Sequence, residues 1–173
     1  VNRTNNSLTY DTNKYSSLTI SNTLSYNVKL SNHKIGVVVG VESVKTDFNS
    51  LLSRGENFAV ETESYFVLSA ASGARTSNGL STGSRLLSQF GKLNYAFSDK
   101  YLATFTIRRD GSSRFGADNR YGIFPAATVG WKINNENFLK NVKAISSLKL
   151  RAGYGEVGNQ SIGDNASLGL YEA

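Results

Sequence analysis

The sequence predicts an all-β protein made of long antiparallel strands, and two observations carry that reading. Apolar and polar residues alternate with a period of two over several long stretches, and turn-forming clusters of Gly, Asn, Asp and Ser separate them. Nine Tyr, nine Phe and 16 Gly beside a single Pro suit pleated strands better than helices.

The first strand lies in TISNTLSYNVKL, residues 19–30. Ile20, Leu24, Tyr26, Val28 and Leu30 share one face, with Asn22 the only interruption. Thr19, Ser21, Thr23, Ser25, Asn27 and Lys29 take the other. A short turn, SNH at 31–33, leads to a strand at 34–46 with Ile35, Val37, Val39 and Val41 on one face. In strand 85–97, Leu93, Tyr95 and Phe97 oppose Lys92 and Asn94. SDK at 98–100 turns the chain into a strand where Tyr101, Ala103, Phe105 and Ile107 oppose Thr104, Thr106 and Arg108. Strand 122–133 follows, with Ala127, Val129, Trp131 and Ile133 aligned. The last, from Leu148, alternates Leu150, Ala152 and Tyr154 with Lys149, Arg151 and Gly153.

Such strands exceed the usual globular length of about 5–6 residues. They match a tilted membrane-crossing strand of about 9–11. A soluble sandwich and a lipid-embedded barrel produce the same alternation, so the period alone does not separate them. Strand length, aromatics near strand ends, and short turns alternating with long connections favour a transmembrane β-barrel segment of about six strands. The longest apolar run, IGVVVGV at 35–41, is too short for a membrane helix.

Short turns of such barrels share one side of the membrane. Placing 31–33 and 98–100 there leaves residues 47–84 no odd number of crossings. SYFVLSAAS, 64–72, is strand-like in isolation but is therefore expected within a long external excursion. NNENFLKNVKAISS, 134–147, is expected to be an inner connection with a short helix near Phe138, and GEVGNQSIGDN, 155–165, another outer loop.

Nineteen basic and thirteen acidic residues give a formal charge of +6, spread along the chain rather than clustered, which is a weak signal for an anionic partner. No Cys is present, excluding disulfides, thiolate metal sites and a thiol nucleophile. No Met is present either, and the chain begins and ends in mid-pattern, as expected of a piece of a larger protein. Gly153, Gly155 and Gly158 spell G-x-G-x-x-G after a strand. The dinucleotide mechanism needs a helix to follow, and NQSIGDNASLG has turn composition instead, so strand glycines leading into a loop are the better reading. The single histidine, His33, sits in a turn, and the acid pairs Glu61 with Glu63 and Asp110 with Asp118 stand beside cations. No catalytic or metal site is expected.

RRDGSSRFGADNRYG, residues 108–122, joins two of the strands. Asp110 and Gly111 are expected to open a tight turn there, with Arg and Asp pairing locally. Arg108, Arg109, Asp110, Arg114, Asn119 and, from the later loop, Asn159 are the candidate ligand or partner contacts. Lys92, Asn94, Thr104, Thr106, Lys149 and Arg151, with Arg108, are expected on the polar face that a barrel turns to its lumen.

Residues 86–139 and 148–165 carry five ordered motifs: FSDKYL at Phe97–Leu102, RRDGSSRFG at Arg108–Gly116, Phe124-Pro125, GWKI at Gly130–Ile133, and LKLRAGYGEVGN at Leu148–Asn159. This order closely resembles the SusC/RagA class of TonB-dependent outer-membrane transporters, and SNTLSYN at 21–27 is similar to the family's entry strand. The resemblance implies a barrel of about 22 strands around an N-terminal plug. Residues 1–173 would be one section of that single barrel domain, with the plug and closing C-terminal strand outside it. It further implies location in a Gram-negative outer membrane and import of oligosaccharides or peptides without enzymatic chemistry or a cofactor. TonB would act through a segment outside these residues, and a SusD-like surface lipoprotein would serve as lid. Nucleic acid is not an expected partner. A small β-barrel or β-sandwich adhesin or ligand-binding module is the alternative.

Overall fold

The computed structural model describes residues 6–60, 62, 64–139 and 145–164. Six strands form one sheet in sequential order: β1 (Ser7–Leu30), β2 (His33–Glu56), β3 (Arg75–Phe97), β4 (Tyr101–Ser112), β5 (Tyr121–Lys132) and β6 (Lys149–Gly155). Pairing of β3 with β4, β4 with β5 and β5 with β6 is antiparallel. The sheet is all-β and is not closed. The chain divides into two compact units, Val1–Leu18 with Lys45–Ser84 and Thr19–Val44 with Arg85–Ala173.

In the second unit the register aligns the apolar alternation of successive strands. Leu93 faces Phe105, which faces Ala127, which faces Tyr154. Two rows over, Phe97 faces Tyr101, then Trp131, then Leu150. This apolar face is open: Leu24 is 71% exposed, Val129 59% and Tyr154 72%. Phe58 and Ala71 are the buried hydrophobic residues among those described, and both belong to the first unit. The second unit therefore stands on its hydrogen-bond ladder and offers its apolar surface outward, as a lipid-facing wall does.

The turn between β3 and β4 places Ser98 and Asp99 at φ 52° and 55°. Two consecutive positive φ values match the right-handed strand twist, and Asp is one of the residues that tolerates them. The Asp99 carboxylate accepts from Lys34 Nζ at 2.6 and 2.7 Å, which pins this turn to the start of β2.

The first unit continues the strands by different means. The strands expected at 19–30, 34–46 and 85–97 in fact run from Ser7, to Glu56 and from Arg75. Polar side-chain pairs accompany the added length: Thr46 with Ser84 at 2.7 Å, Ser81 donating to Asn49 at 2.8 Å, and Ser53 with Ser77 at 3.4 Å. A backbone ladder needs no apolar alternation, so these segments pair without the signal that marks the wall. The segment 64–72 forms no strand, as expected, and holds a 3-10 turn at Leu68–Ala70. Phe58 is buried there, edge-on to Phe66 at 4.5 Å, and Asn6 brackets its backbone with two hydrogen bonds of 2.6 and 3.0 Å. Arg75 closes the segment by donating to the carbonyls of Ala71 and Ser69.

Two local expectations are corrected. Asp110 and Gly111 lie within β4 and do not open a turn, because both pair with β5, opposite Gly122 and Tyr121; the bend starts at Ser113. The short helix expected near Phe138 is a 3-10 turn at Ile133–Asn135. Phe138 sits in the turn that follows, 65% exposed, and residues 140–144 of this connection lie outside the described set.

Candidate functional site

Strand pairing collects the polar residues on one face of the second unit. Lys92 faces Thr106, and Asn94 faces Thr104, whose Oγ1 donates to Asn94 Oδ1 at 3.1 Å. Thr104 faces Thr128, and Thr128 faces Gly153, so Lys149 and Arg151 lie on the same face by alternation. Both stems drape over Gly130: a Cβ built there would meet Lys149 Cε at 3.3 Å and Arg151 Cγ at 3.7 Å.

Arg108 anchors this face. Its Nε donates to both carboxylate oxygens of Asp110, at 2.7 and 2.9 Å, and its Nη2 donates to Oγ of the fully buried Ser88 at 2.7 Å. Glu42 Oε1 lies 3.8 Å from the same guanidinium, and its other oxygen accepts from Ser21 Oγ at 2.9 Å. One network thus links β1, β2, β3 and β4. A half-buried cation shared by two carboxylates and a hydroxyl is held more firmly than an exposed ion pair.

Beyond this network opens a recess of about 350 Å³. Arg108, Asp110, Asn119 and Asn159, all singled out in the sequence, line it together, and Phe115 and Phe124 supply apolar surface. Arg114 is the clasp of its rim. Its Nε donates to Asp164 Oδ1 at 2.8 Å and its Nη1 to the Gln160 carbonyl at 3.0 Å, tying the loop after β4 to the segment after β6. Guanidinium, carboxylate, amides and aromatic rings in one concavity offer hydrogen bonds to hydroxyl or amide groups and a surface for rings or aliphatic chains.

Arg109 stands apart. Its neighbour Arg108 points to the polar face, so strand alternation sends Arg109 to the apolar one. There its guanidinium lies 4.2 Å over the Tyr121 ring and Nη1 donates to Gln89 Oε1 at 3.3 Å.

A further polar cluster, not singled out in the sequence, closes the strand ends near the β5–β6 connection. Glu136 accepts from Lys100 Nζ at 2.7 Å, Tyr101 OH at 2.8 Å and Trp131 Nε1 at 3.1 Å. The Lys100 bond first, then the Tyr101 and Trp131 bonds, bring its pKa down to about 2. Tyr101 and Trp131 were legible as strand residues on one face; that an acid from the following turn folds back between them was not. Among the described residues no group of three or more metal-ligating side chains converges.

The family described as "TonB dependent receptor-like, beta-barrel" matches residues 1–171. TonB-dependent receptor SusC of Bacteroides thetaiotaomicron is 54% identical over 98 residues, covering 56% of this chain and 10% of its own length. TonB-dependent receptor P3 of Formosa agariphila is 33% identical over 152 residues, covering 88% of this chain and 15% of its own. Among solved structures, the RagAB peptide transporter superposes with a TM-score of 0.84 at 25% identity, over 90% of this chain and 18% of that one. The RagAB peptide importer in its open-open state also gives a TM-score of 0.84. The chain thus spans less than a fifth of the length of the proteins it resembles.

Proposed function

Since the chain belongs to the TonB-dependent receptor β-barrel family, of the SusC/RagA type, we propose that it forms part of the wall of an outer-membrane importer of nutrient oligomers. The observation that carries this reading is the two-faced sheet: an exposed apolar face aligned in register from β3 to β6, backed by a polar face. In a barrel the first face meets lipid and the second lines the lumen. Lys92, Asn94, Thr104, Thr106, Arg108, Lys149 and Arg151 then border the path of the substrate. Asp110, Asn119 and Asn159 line a recess in which substrate or a lid makes contact, and Arg114 ties the loop beside it to Gln160 and Asp164.

The imported molecules in this reading are oligosaccharides or peptides, and the peptide transport of the RagAB relative supports the second class. The work is non-enzymatic. The polar face supplies many individually weak hydrogen bonds, which let an oligomer enter without being held. Energy arrives through TonB and the receptor's plug, and a SusD-like lipoprotein covers the outer mouth.

The faces are tested by maleimide labelling of Thr104→Cys and Phe105→Cys in the full-length receptor in membranes. The reading expects water-soluble reagent to reach the first and lipid-soluble reagent the second; equal accessibility of both sinks it. Function is tested by uptake of labelled oligosaccharides and labelled peptides in strains with and without the receptor. Loss of one class on deletion identifies the cargo, and undiminished uptake of both removes the importer reading.

A further inference from the structure

The apolar face carries a feature that a lipid-facing wall does not require. Gly91 faces Ile107 across β3 and β4 on that face, and both line a shallow furrow of about 710 Å³. Leu24, Val39, Val41 and Ile123 wall it, all at least 39% exposed. At one end stand Gln89 and Arg109, which face each other in register. Arg109 has two described partners, the Gln89 amide and the Tyr121 ring, and both are neutral. Among the described residues no carboxylate forms an ion pair with it, whereas Arg108 and Arg114 are both paired.

An uncompensated cation at the rim of an apolar groove in a hydrophobic face is costly unless an anion meets it there. Stacking on Tyr121 uses the flat face of the guanidinium, and the N–H groups of its edge not given to Gln89 can donate in plane, the geometry that suits a phosphate. The Gln89 carbonyl oxygen accepts from Arg109, so its amide NH₂ is turned to other acceptors. The loop that follows Arg109 joins β4 to β5 at the end opposite the tight 98–100 turn, where the wall reading puts the outer headgroup layer.

We infer that this is a site for one phosphorylated membrane lipid, its acyl chain lying along the furrow over Gly91 and its phosphate on Arg109 and Gln89. The inference rests on the apolar face being the lipid-facing one, and on nothing about transport. Gly91 is the selective element on the chain side: a Cβ there would meet only Ile107 Cγ2, at 3.8 Å, so the position has room for a side chain that β3 does not supply. Arg109 is the selective element on the headgroup side.

The test uses the full-length receptor, delipidated in detergent and titrated with dioleoyl phosphatidic acid, with bound lipids counted by native mass spectrometry. Dioleoylglycerol, which lacks the phosphate, and inorganic phosphate run in parallel. One phosphatidic acid should be retained more tightly than the rest, and Arg109→Gln should weaken it about tenfold. Arg109→Lys keeps the charge but not the fork and should fall between. Gly91→Leu puts a side chain into the floor of the furrow, leaves Arg109 in place, and should weaken the same lipid. Dioleoylglycerol should bind with no dependence on residue 109, and inorganic phosphate should not displace phosphatidic acid at equal concentration. Equal retention by wild type, Arg109→Gln and Gly91→Leu, or displacement by inorganic phosphate alone, overturns the site and leaves the lipid-facing wall standing. A receptor that binds neither lipid and stays dispersed without detergent overturns the wall reading beneath it.

Discussion

Phe105 in the unit Thr19–Val44 with Arg85–Ala173, and Leu51 in the unit Val1–Leu18 with Lys45–Ser84, are almost equally uncovered, at 48% and 51%. They sit in different company. Phe105 lies in a row of apolar partners, Leu93 and Ala127 on either side. Leu51 sits between Asn49 and Ser53 on β2, which are joined to Ser81 and Ser77 of β3 by amide and hydroxyl pairs. On the proposed wall reading, equal exposure thus has two meanings: a surface meant for hydrocarbon and a surface meant for water. The comparison teaches that solvent-accessible area in a barrel wall says nothing of which solvent is present, and that the pattern of neighbours does.

The most severe way to break this comparison is to place a cation on each surface. Phe105→Lys should cost the full-length receptor about 2–4 kcal/mol in a bilayer, the range for a cation near the midplane of a barrel's lipid face. Leu51→Lys should stay within about 0.5 kcal/mol, as surface changes do. Denaturant titration of receptor folded into phosphatidylcholine vesicles measures both, and equal costs would erase the distinction.

A second contrast concerns ion pairs. Arg108→Ala strands Glu42 and Asp110 beside each other and leaves the buried Ser88 hydroxyl without its donor, and should cost about 1–3 kcal/mol. Arg54→Ala removes only an exposed pair with Glu56, 3.2 Å apart, and should change stability by under about 1 kcal/mol. The same titration separates them, and a silent Arg108→Ala would show that the network does not hold β4 to its neighbours.

Acidity gives a smaller effect with a definite sign. The pKa of Glu136 falls from 4.5 to about 2 in the folded chain, so its contribution is present above 4.5 and disappears as pH drops toward 2. Glu136→Gln should lower the melting temperature of the detergent-solubilised receptor at neutral pH, and wild type and variant should converge across that window. A difference that persists unchanged to the acid end would mean the Lys100 pairing is not its source. The smallest expected effect is Ser53→Ala in the polar β2–β3 extension, near zero in the same melt, because the 3.4 Å contact with Ser77 is long and exposed.

The two regions were also unequally legible. Alternation disclosed the strands of the second unit because apolar and polar residues are sorted onto opposite faces there, as the proposed wall requires. In the hairpin extensions of β1, β2 and β3 the alternation fades while pairing continues, so the strands extend to Ser7, Glu56 and Arg75 beyond any sequence signal. The adjacent arginines show the same point at residue scale. Reading Asp110-Gly111 as a turn kept Arg108 on the polar face of its strand and put Arg109 in the loop. Because β4 runs on to Ser112, one is directed to the polar network and the other to the apolar furrow.

By itself the sequence determined the class of fold, the number and order of strands, the apolar face of each and the family, because all of these are written in short-range pattern and motif order. Only the tertiary structure decided what the residues do together. The meeting of Arg108, Asp110, Asn119 and Asn159 at one recess, the clasp from Arg114 to Asp164 across 50 residues, and the return of Glu136 to Lys100 join positions far apart in the chain. Such contacts are set by register and loop closure, and no local period records them.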